Sequence, residues 1–171
     1  GQLLFAQDSD GDLKADKTTV VDPDYAPRAN LEHQPNGLMR ALDNWLYSAN
    51  SIVRHRFLDG KWTKEKTEFR GQWGITQDNY GRLIYDVNNS QLRGDVTPPN
   101  YIGRNPHHKS ASGLNLAIAT DQRVFPIRMN TGVTRGYRTN VLDQFGRLRE
   151  FTSACSPVIY RGEHFPPEFR G

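Results

Sequence analysis

Cysteine is nearly absent from this chain of 171 residues, in which Cys155 is the only one. A single cysteine excludes an internal disulfide framework and a structural zinc site built from cysteines. It also excludes covalent attachment of haem within this chain, because no C-x-x-C-H run is present. We interpret Cys155, which stands between Ala154 and Ser156, as a small buried residue beside a strand.

Long apolar runs and a strong charge of one sign are also missing. No run approaches the roughly 18 apolar residues of a membrane helix, and no signal peptide or starting methionine is present. Lys and Arg number 22 against 19 Asp and Glu, a net charge of +3, and the basic residues are dispersed. Nucleic acid is therefore not an expected partner. Both ends read as interrupted strands, and we expect a piece of a longer protein.

Helical periodicity is nearly absent, whereas short alternating or apolar runs bounded by turn residues recur. The content of 15 Gly and 10 Pro fits a loop-rich β protein. The sequence therefore predicts an all-β fold. The predicted strands are 37–42, 45–49, 52–58, 82–87, 114–119 and 158–161.

A weak internal repeat refines this prediction. The stretch that begins at Asn36 can be laid over the one that begins at Trp73, so that Gly37 matches Gly74 at a spacing of 37. Tyr47 then matches Tyr85 at a spacing of 38, with one residue inserted in the turn. A period near 40 residues made of short antiparallel strands is typical of a propeller blade, although a β-sandwich could show the same pattern.

The expected architecture is a partial β-propeller. At about 40 residues a blade, the chain supplies about three to four blades of four-stranded antiparallel sheets, which form an open arc. All of 1–171 belongs to one propeller domain in this interpretation. Residues 98–137 do not follow the period and are predicted to be a long, irregular, loop-rich insertion.

An acidic loop is the first candidate site. Asp8, Asp10, Asp12 and Asp16 alternate along a turn, where carboxylates can converge on one calcium ion. The glycine and glutamate that an EF-hand has at positions 6 and 12 are missing. The loop is therefore either a calcium-stabilised hairpin turn or an acidic, solvated turn without an ion.

The second candidate is Glu32-His33, just before a predicted strand. A neutral imidazole beside a carboxylate can act as a general base, because the neighbour stabilises the imidazolium that forms. The alternative is an ordinary surface histidine.

The third candidate is the run from Arg70 to Trp73, in the equivalent position of the second repeat. The guanidinium of Arg70 can meet a carboxylate or a quinone oxygen, and the ring of Trp73 can wall a flat ligand. The alternative is an arginine that caps the strand and a tryptophan in the core.

Two further motifs give weaker indications of function. His107 and His108 are adjacent, so in an extended segment their side chains point in opposite directions and a surface loop is expected. The tripeptide Arg93-Gly94-Asp95 matches an adhesion motif, but matches of three residues are common by chance.

Taken together, these motifs resemble a known family. The runs LEHQPNGLMRALDNWLYSANS and FRGQWGITQDNYGRLIY resemble segments of the soluble quinoprotein glucose and sorbosone dehydrogenases. The chain is more similar still to the β-propeller domain of large planctomycete-type membrane-bound dehydrogenases, which often carry a cytochrome c module. The stretches that carry this similarity are DSDGDLKADK, NLEHQPNGL, FRGQWGITQDNYGRL, LRGDVTPPNY, ATDQRVFPIR, GVTRGYR and ACSPVIYRGEHFPPEFRG.

The resemblance implies oxidation of a sugar or an alcohol by hydride transfer to pyrroloquinoline quinone, with electrons passing to a cytochrome c outside this chain. It gives His33 the role of catalytic base and Arg70 that of a catalytic contact to the quinone, with Glu32, Arg70 and Gln72 binding the cofactor. Calcium is the expected second cofactor. A periplasmic or otherwise extracytoplasmic location is implied, with membrane association through segments outside this sequence.

Two other functions fit the same residues. A non-catalytic propeller stabilised by calcium would bind carbohydrate or a protein partner. A propeller hydrolase, such as a lactonase, would use acidic residues and calcium, and the loop of Asp8 alone suits it.

Overall fold

The structure, a computed structural model, describes residues 1–27, 30–101, 104–105, 107, 113–129 and 140–170. In this part of the chain it is all-β: strands and two short 3-10 turns, Leu31–His33 and Pro167–Phe169, are joined by loops. The predicted fold class is confirmed: the strands form antiparallel four-stranded sheets arranged as a partial β-propeller. Among the described residues, no helix is long and apolar enough to cross a membrane.

The strands form one hairpin and two sheets. The hairpin pairs β1 (Leu3–Gln7) with β2 (Lys17–Asp22). The first sheet has the order β3 (Asn36–Arg40), β4 (Leu46–Ala49), β5 (Ser51–Leu58) and β6 (Lys61–Arg70). The second sheet has the order β7 (Ile75–Gln77), β8 (Leu83–Val87), β9 (Ser90–Gly94) and β10 (Leu116–Ala117).

The same hairpin turn occurs three times among the described residues. In each copy a backbone N–H donates to the carbonyl oxygen four residues later: Ala41 to Trp45 at 2.8 Å, Asp78 to Arg82 at 3.1 Å, and Asp143 to Arg147 at 2.8 Å. The fourth residue of each turn has a left-handed backbone, with φ of 64° at Asn44, 79° at Gly81 and 72° at Gly146. Asparagine and glycine tolerate this conformation best, which explains the turn sequences.

The positions of these turns correct the alignment of the two repeat copies. The first two begin 37 residues apart, at Ala41 and Asp78, so no residue is inserted between the copies. In the first sheet Met39 pairs with Tyr47, and in the second Thr76 pairs with Ile84. Tyr47 therefore corresponds to Ile84, and its predicted match with Tyr85 is wrong by one residue.

The shift by one residue explains why Tyr47 and Tyr85 both belong to the core between the two sheets. Successive side chains of a strand point to opposite faces, so Tyr47 and Tyr85 lie on opposite faces of their own sheets. Both enter the same space between the two sheets, where each is 1% exposed. The core residues packed there are Ala41, Trp45, Tyr47, Ala49, Ile75, Leu83 and Tyr85, with Met39 at the margin.

Close backbone approaches show how the arc continues. A Cβ atom on Gly37 would lie 2.7 Å from the Cα atom of Gly74, and one on Gly74 would lie 2.8 Å from the Cα atom of Ser156. Ser156 has a left-handed φ of 55°, as Gly37 and Gly74 have φ of 60° and 81°. We call β3 and β7, the strands at the facing edges of the two sheets, the innermost strands. Residues 154–161, the third segment, lie beside β7 as β7 lies beside β3, in the position of a third innermost strand.

Two blades are complete within the described residues. The described residues contain two four-stranded sheets, and β10 lies inside the region predicted to be an irregular insertion. Beyond it, isolated bridges join Arg123 to Glu150 and Leu142 to Leu148.

The β1–β2 hairpin is fixed to the first sheet by a buried polar cluster. The Oδ2 atom of Asp22 lies 2.8 Å from Nε2 of His55, and its Oδ1 accepts a hydrogen bond of 2.9 Å from Lys64. Asp22 and His55 are each 1% exposed. At the far end of this contact, Phe5 packs beside Phe57 and Trp62.

Candidate functional site

The candidate site lies where the chain enters the two innermost strands. His33 ends the 3-10 turn before β3, and this turn is capped by Asn30, whose side chain accepts a 3.0 Å hydrogen bond from the backbone N–H of Glu32. Gln72 and Trp73 connect β6 to β7. Because β3 and β7 are neighbours, both loops come to the same end of the arc.

Three partly exposed side chains meet there. The amide nitrogen of Gln72 lies 3.4 Å from Nδ1 of His33, and the ring centroid of Trp73 lies 6.0 Å from that of His33. We call His33, Gln72 and Trp73 the inner-strand site. Two of these residues, His33 and Gln72, were predicted as site residues, and the structure brings them together.

Asn36 ties the two loops to each other. Its Nδ2 donates to the carbonyl oxygens of Gln34 at 3.0 Å and Gln72 at 2.8 Å. Its Oδ1 accepts a 2.8 Å hydrogen bond from the backbone N–H of Gly74. The relative position of His33 and Gln72 is therefore set by one asparagine, which sequence reasoning missed although it directly precedes a repeat glycine.

Asn88 holds two side chains of the site, those of Trp73 and Gln72. Its Oδ1 accepts a 2.6 Å hydrogen bond from Nε1 of Trp73, and its backbone N–H donates to Oε1 of Gln72 at 3.4 Å. Its carbonyl oxygen accepts a 3.1 Å hydrogen bond from Ala154, while Ser156 N–H donates to the carbonyl of Trp73 at 2.7 Å. The third segment is thus hydrogen-bonded to Asn88 and to Trp73 of the site.

Arg70 lies elsewhere. Its side chain is 2% exposed and donates four hydrogen bonds: to Asp95 Oδ2 at 2.6 Å, Thr67 Oγ1 at 2.9 Å, Glu68 O at 3.0 Å and Glu68 Oε2 at 3.0 Å. Asp95 also accepts from Tyr85 Oη at 2.8 Å, and burial followed by this carboxylate raises the pKa of Tyr85. In this geometry Arg70 joins the two sheets, and each nitrogen of its guanidinium group donates to a protein atom rather than to a ligand.

Glu32 is exposed beside the site. Within the described residues its carboxylate forms no hydrogen bond or ion pair, so it is not the partner that orients His33. Gln72 contacts His33 instead.

The acidic loop is a separate feature at the tip of the β1–β2 hairpin. Asp8, Asp10 and Asp16 can each place an oxygen within 4.8 Å of the others, whereas Asp12 does not join them and lies 3.5 Å from Lys14. The backbone N–H of Gly11 donates to Asp8 at 2.6 Å and lowers the pKa of this carboxyl. The hydroxyl of Ser9 likewise lowers the pKa of Asp16. The three carboxyl groups thus lie close together, as a cation site requires.

Asp86 was also missed. It is 3% exposed, and its Oδ1 has no hydrogen-bond partner among the described residues. Burial raises the pKa of this carboxyl to about 6. Its backbone carbonyl oxygen accepts a 2.8 Å hydrogen bond from the backbone N–H of Gln72, so Asp86 lies beside the loop that carries Gln72.

The remaining candidates have simple outcomes. Cys155 is exposed, so the prediction that it is buried is wrong. His107 is exposed, and His108 lies outside the described residues. Asp95 of the adhesion-like tripeptide is buried against Arg70, which excludes a display of that motif.

Comparison with other proteins gives a family and no activity. No curated protein and no solved structure matches the chain significantly. A family model described as a domain of unknown function, DUF7133, matches residues 1–171, and the chain belongs to this family.

Proposed function

We propose that the chain forms the sugar- or alcohol-binding side of a β-propeller oxidoreductase, with the inner-strand site as the place of contact. The observation that carries the proposal is the convergence of His33, Gln72 and Trp73 from two neighbouring loops. An aromatic face, an amide and an imidazole together suit a ligand that is apolar on its C–H faces and polar at its hydroxyl groups.

Each side chain has a role in this proposal. The indole of Trp73 would pack against the C–H face of a sugar ring. His33 and Gln72 would hydrogen-bond the hydroxyl groups. An oxidation would also need a bound redox cofactor to accept the hydride of the reacting carbon, and His33 would take the proton of its hydroxyl group. Ligand binding by these side chains requires no change in the hydrogen bonds through which Asn36 holds the two loops.

The quinone that the resemblance implies does not fit all the residues assigned to it. Arg70 is buried and its guanidinium is occupied by Asp95, Thr67 and Glu68. Moving it to a ligand would leave the Asp95 carboxylate buried without its cation, at a cost of about 3–5 kcal/mol. The proposal therefore contains no step at a quinone. Calcium at the acidic loop, transfer of electrons to a cytochrome c and a periplasmic location are further parts of the proposal.

The second candidate is a non-catalytic propeller that binds carbohydrate through the same site. The burial of Arg70 favours it, because this removes the charged group expected to contact a cofactor.

Binding and oxidation are tested separately. Titration with glucose and with sorbitol, followed by tryptophan fluorescence, should show saturable binding. His33→Ala should weaken binding by about 2- to 10-fold, the equivalent of one neutral hydrogen bond. Trp73→Phe should weaken binding because it offers the ligand a smaller aromatic face. Trp62→Phe is the matched control, because Trp62 packs on Phe5 and Phe57 away from the site. Equal binding by all variants would refute the site.

Oxidation is then measured with a redox dye, both with and without added pyrroloquinoline quinone and calcium. Activity that His33→Ala removes supports the oxidoreductase. Sugar binding without cofactor binding or dye reduction supports the second candidate.

A further inference from the structure

The amide of Gln72 has two chemically different ends. Its Oε1 can only accept a hydrogen bond and its Nε2 can only donate. Oε1 lies 3.4 Å from the backbone nitrogen of Asn88, and Nε2 lies 3.4 Å from Nδ1 of His33. A backbone N–H cannot accept, so the oxygen end belongs at Asn88 and the NH₂ end belongs at His33.

We propose that Gln72 is a positioning residue that sets the tautomer of His33. Because the NH₂ group of Gln72 donates to Nδ1, this nitrogen must keep its lone pair. In the neutral imidazole the proton then lies on Nε2. His33 therefore presents an N–H donor at Nε2.

The surroundings keep Gln72 in this role. Its backbone N–H donates to the carbonyl of Asp86 at 2.8 Å, and its carbonyl accepts from Asn36 at 2.8 Å. Asn88 is itself held through its Oδ1 by Trp73 and through its carbonyl by Ala154. The backbone donor that selects the amide orientation is thus fixed independently of His33.

The tautomer decides what His33 can do. With a proton on Nε2, His33 donates a hydrogen bond to a ligand oxygen, as a binding residue does. To accept a hydroxyl proton at Nε2, the ring must carry its proton on Nδ1, and the amide of Gln72 must turn to offer Oε1. That rotation gives up the hydrogen bond from Asn88. This consequence rests on the proposed function, whereas the tautomer itself does not.

Imidazole nitrogen shifts measure the tautomer directly. Long-range ¹H–¹⁵N spectra of the labelled protein are recorded at about pH 8.5, about two units above an ordinary histidine pKa. For His33 we expect a bare Nδ1 and a protonated Nε2. In Gln72→Glu the carboxylate can only accept, so the proton should move to Nδ1 and the two resonances should exchange character.

Gln72→Met is the second variant, since it keeps the shape of the side chain and removes the donor. The Nδ1 resonance of His33 should then shift away from its value in the wild-type protein. The exposed His107 and His164 provide internal controls whose shifts should not change. A protonated Nδ1 in the wild-type protein would overturn the proposal. So would a Gln72→Glu variant, folded by its dispersed spectrum, in which His33 keeps its tautomer.

The same samples separate this proposal from the proposed function. If the tautomer responds as expected and neither glucose nor sorbitol changes any His33 resonance, Gln72 is the positioning residue and the ligand assignment fails. If sugars bind and Gln72→Glu leaves the tautomer unchanged, the reverse holds.

Discussion

Asp86 and Asp95 are two aspartates buried at nearly equal depth in the second sheet, and their surroundings predict opposite responses to the same substitution. Asp86 is 3% and Asp95 4% exposed. Asp95 accepts hydrogen bonds from Arg70 and Tyr85, whereas Oδ1 of Asp86 has no partner among the described residues. Asn is nearly isosteric with Asp and removes the charge in both places.

The magnitude for Asp86 follows from its pKa. Burial raises the pKa from 3.8 to about 6, and about two pKa units correspond to about 3 kcal/mol. The folded-state pKa lies above the unfolded value, so this carboxyl costs stability when ionised. The cost is nearly absent below about pH 4, grows as the pH rises, and reaches its full value above about pH 6.

We therefore expect Asp86→Asn to raise the free energy of unfolding by about 1–3 kcal/mol at pH 8, the lower values reflecting the unpartnered amide. Between pH 8 and about pH 4 this stability difference should fall by about 2.5 kcal/mol, because the carboxyl of the wild-type protein becomes protonated. Asp95→Asn should instead lower stability, since it removes one of the two carboxylates that pair with the buried Arg70. The loss should be less than the roughly 3–5 kcal/mol of an unpaired buried charge, because Glu68 remains. The assay is urea unfolding followed by tryptophan fluorescence at pH 4, 6 and 8.

The difference between wild type and variant isolates Asp86, because the other titrating groups are common to both proteins. An Asp86→Asn protein that is less stable than wild type at pH 8 would refute the reasoning, as would a difference that does not change with pH. Either result would mean that the carboxylate has a charged or hydrogen-bonding partner in the folded protein.

Two more predictions concern the arc and the acidic loop. Gly74→Ala should destabilise the protein by more than Gly60→Ala in urea unfolding. Both residues have positive φ, which costs an alanine about 1–2 kcal/mol, but only at Gly74 would the new Cβ clash, lying 2.8 Å from Ser156. Equal losses of stability would mean that the third segment does not pack on β7. Calcium should raise the melting temperature, by the equivalent of about 2.7 kcal/mol at 100 times its dissociation constant. Asp16→Asn should abolish this shift while Asp12→Asn preserves most of it, and removal of calcium with a chelator should reverse it; a shift that survives in Asp16→Asn would contradict the geometry of the loop.

The fold class could be predicted because it depends on local signals. The hairpin turns at residues 41–45, 78–82 and 143–147 each combine an acidic or asparagine-rich sequence with a residue suited to positive φ. Alternating apolar residues beside such turns indicate antiparallel strands. The match of Tyr47 with Tyr85 failed for an equally physical reason: a shift of one residue moves a side chain to the other face, and the identity of two tyrosines outweighed the turn length.

The site was only partly predictable. His33 and Gln72 stand before repeated strands, so their positions follow from the repeat. Asp86 lies in β8, the second strand of its sheet, and Asn88 lies in the turn that follows β8. Nothing in the sequence distinguishes this supporting amide or this unpaired carboxyl from the polar residues around them. Their importance arises from burial and from partners such as Trp73, which only the folded chain brings together.

Arg70 shows how one residue can be important to the site without contacting a ligand. The resemblance places it at a cofactor, and the structure instead buries it against Asp95 between the two sheets. Gln72 follows it by two residues, so the anchor that fixes the end of β6 also fixes where the loop to β7 begins. The Gln72 amide meets His33 only at 3.4 Å, a long hydrogen bond that small displacements would break. The hydrogen bonds of the buried Arg70 to Asp95, Thr67 and Glu68 therefore fix the point from which the loop with Gln72 begins.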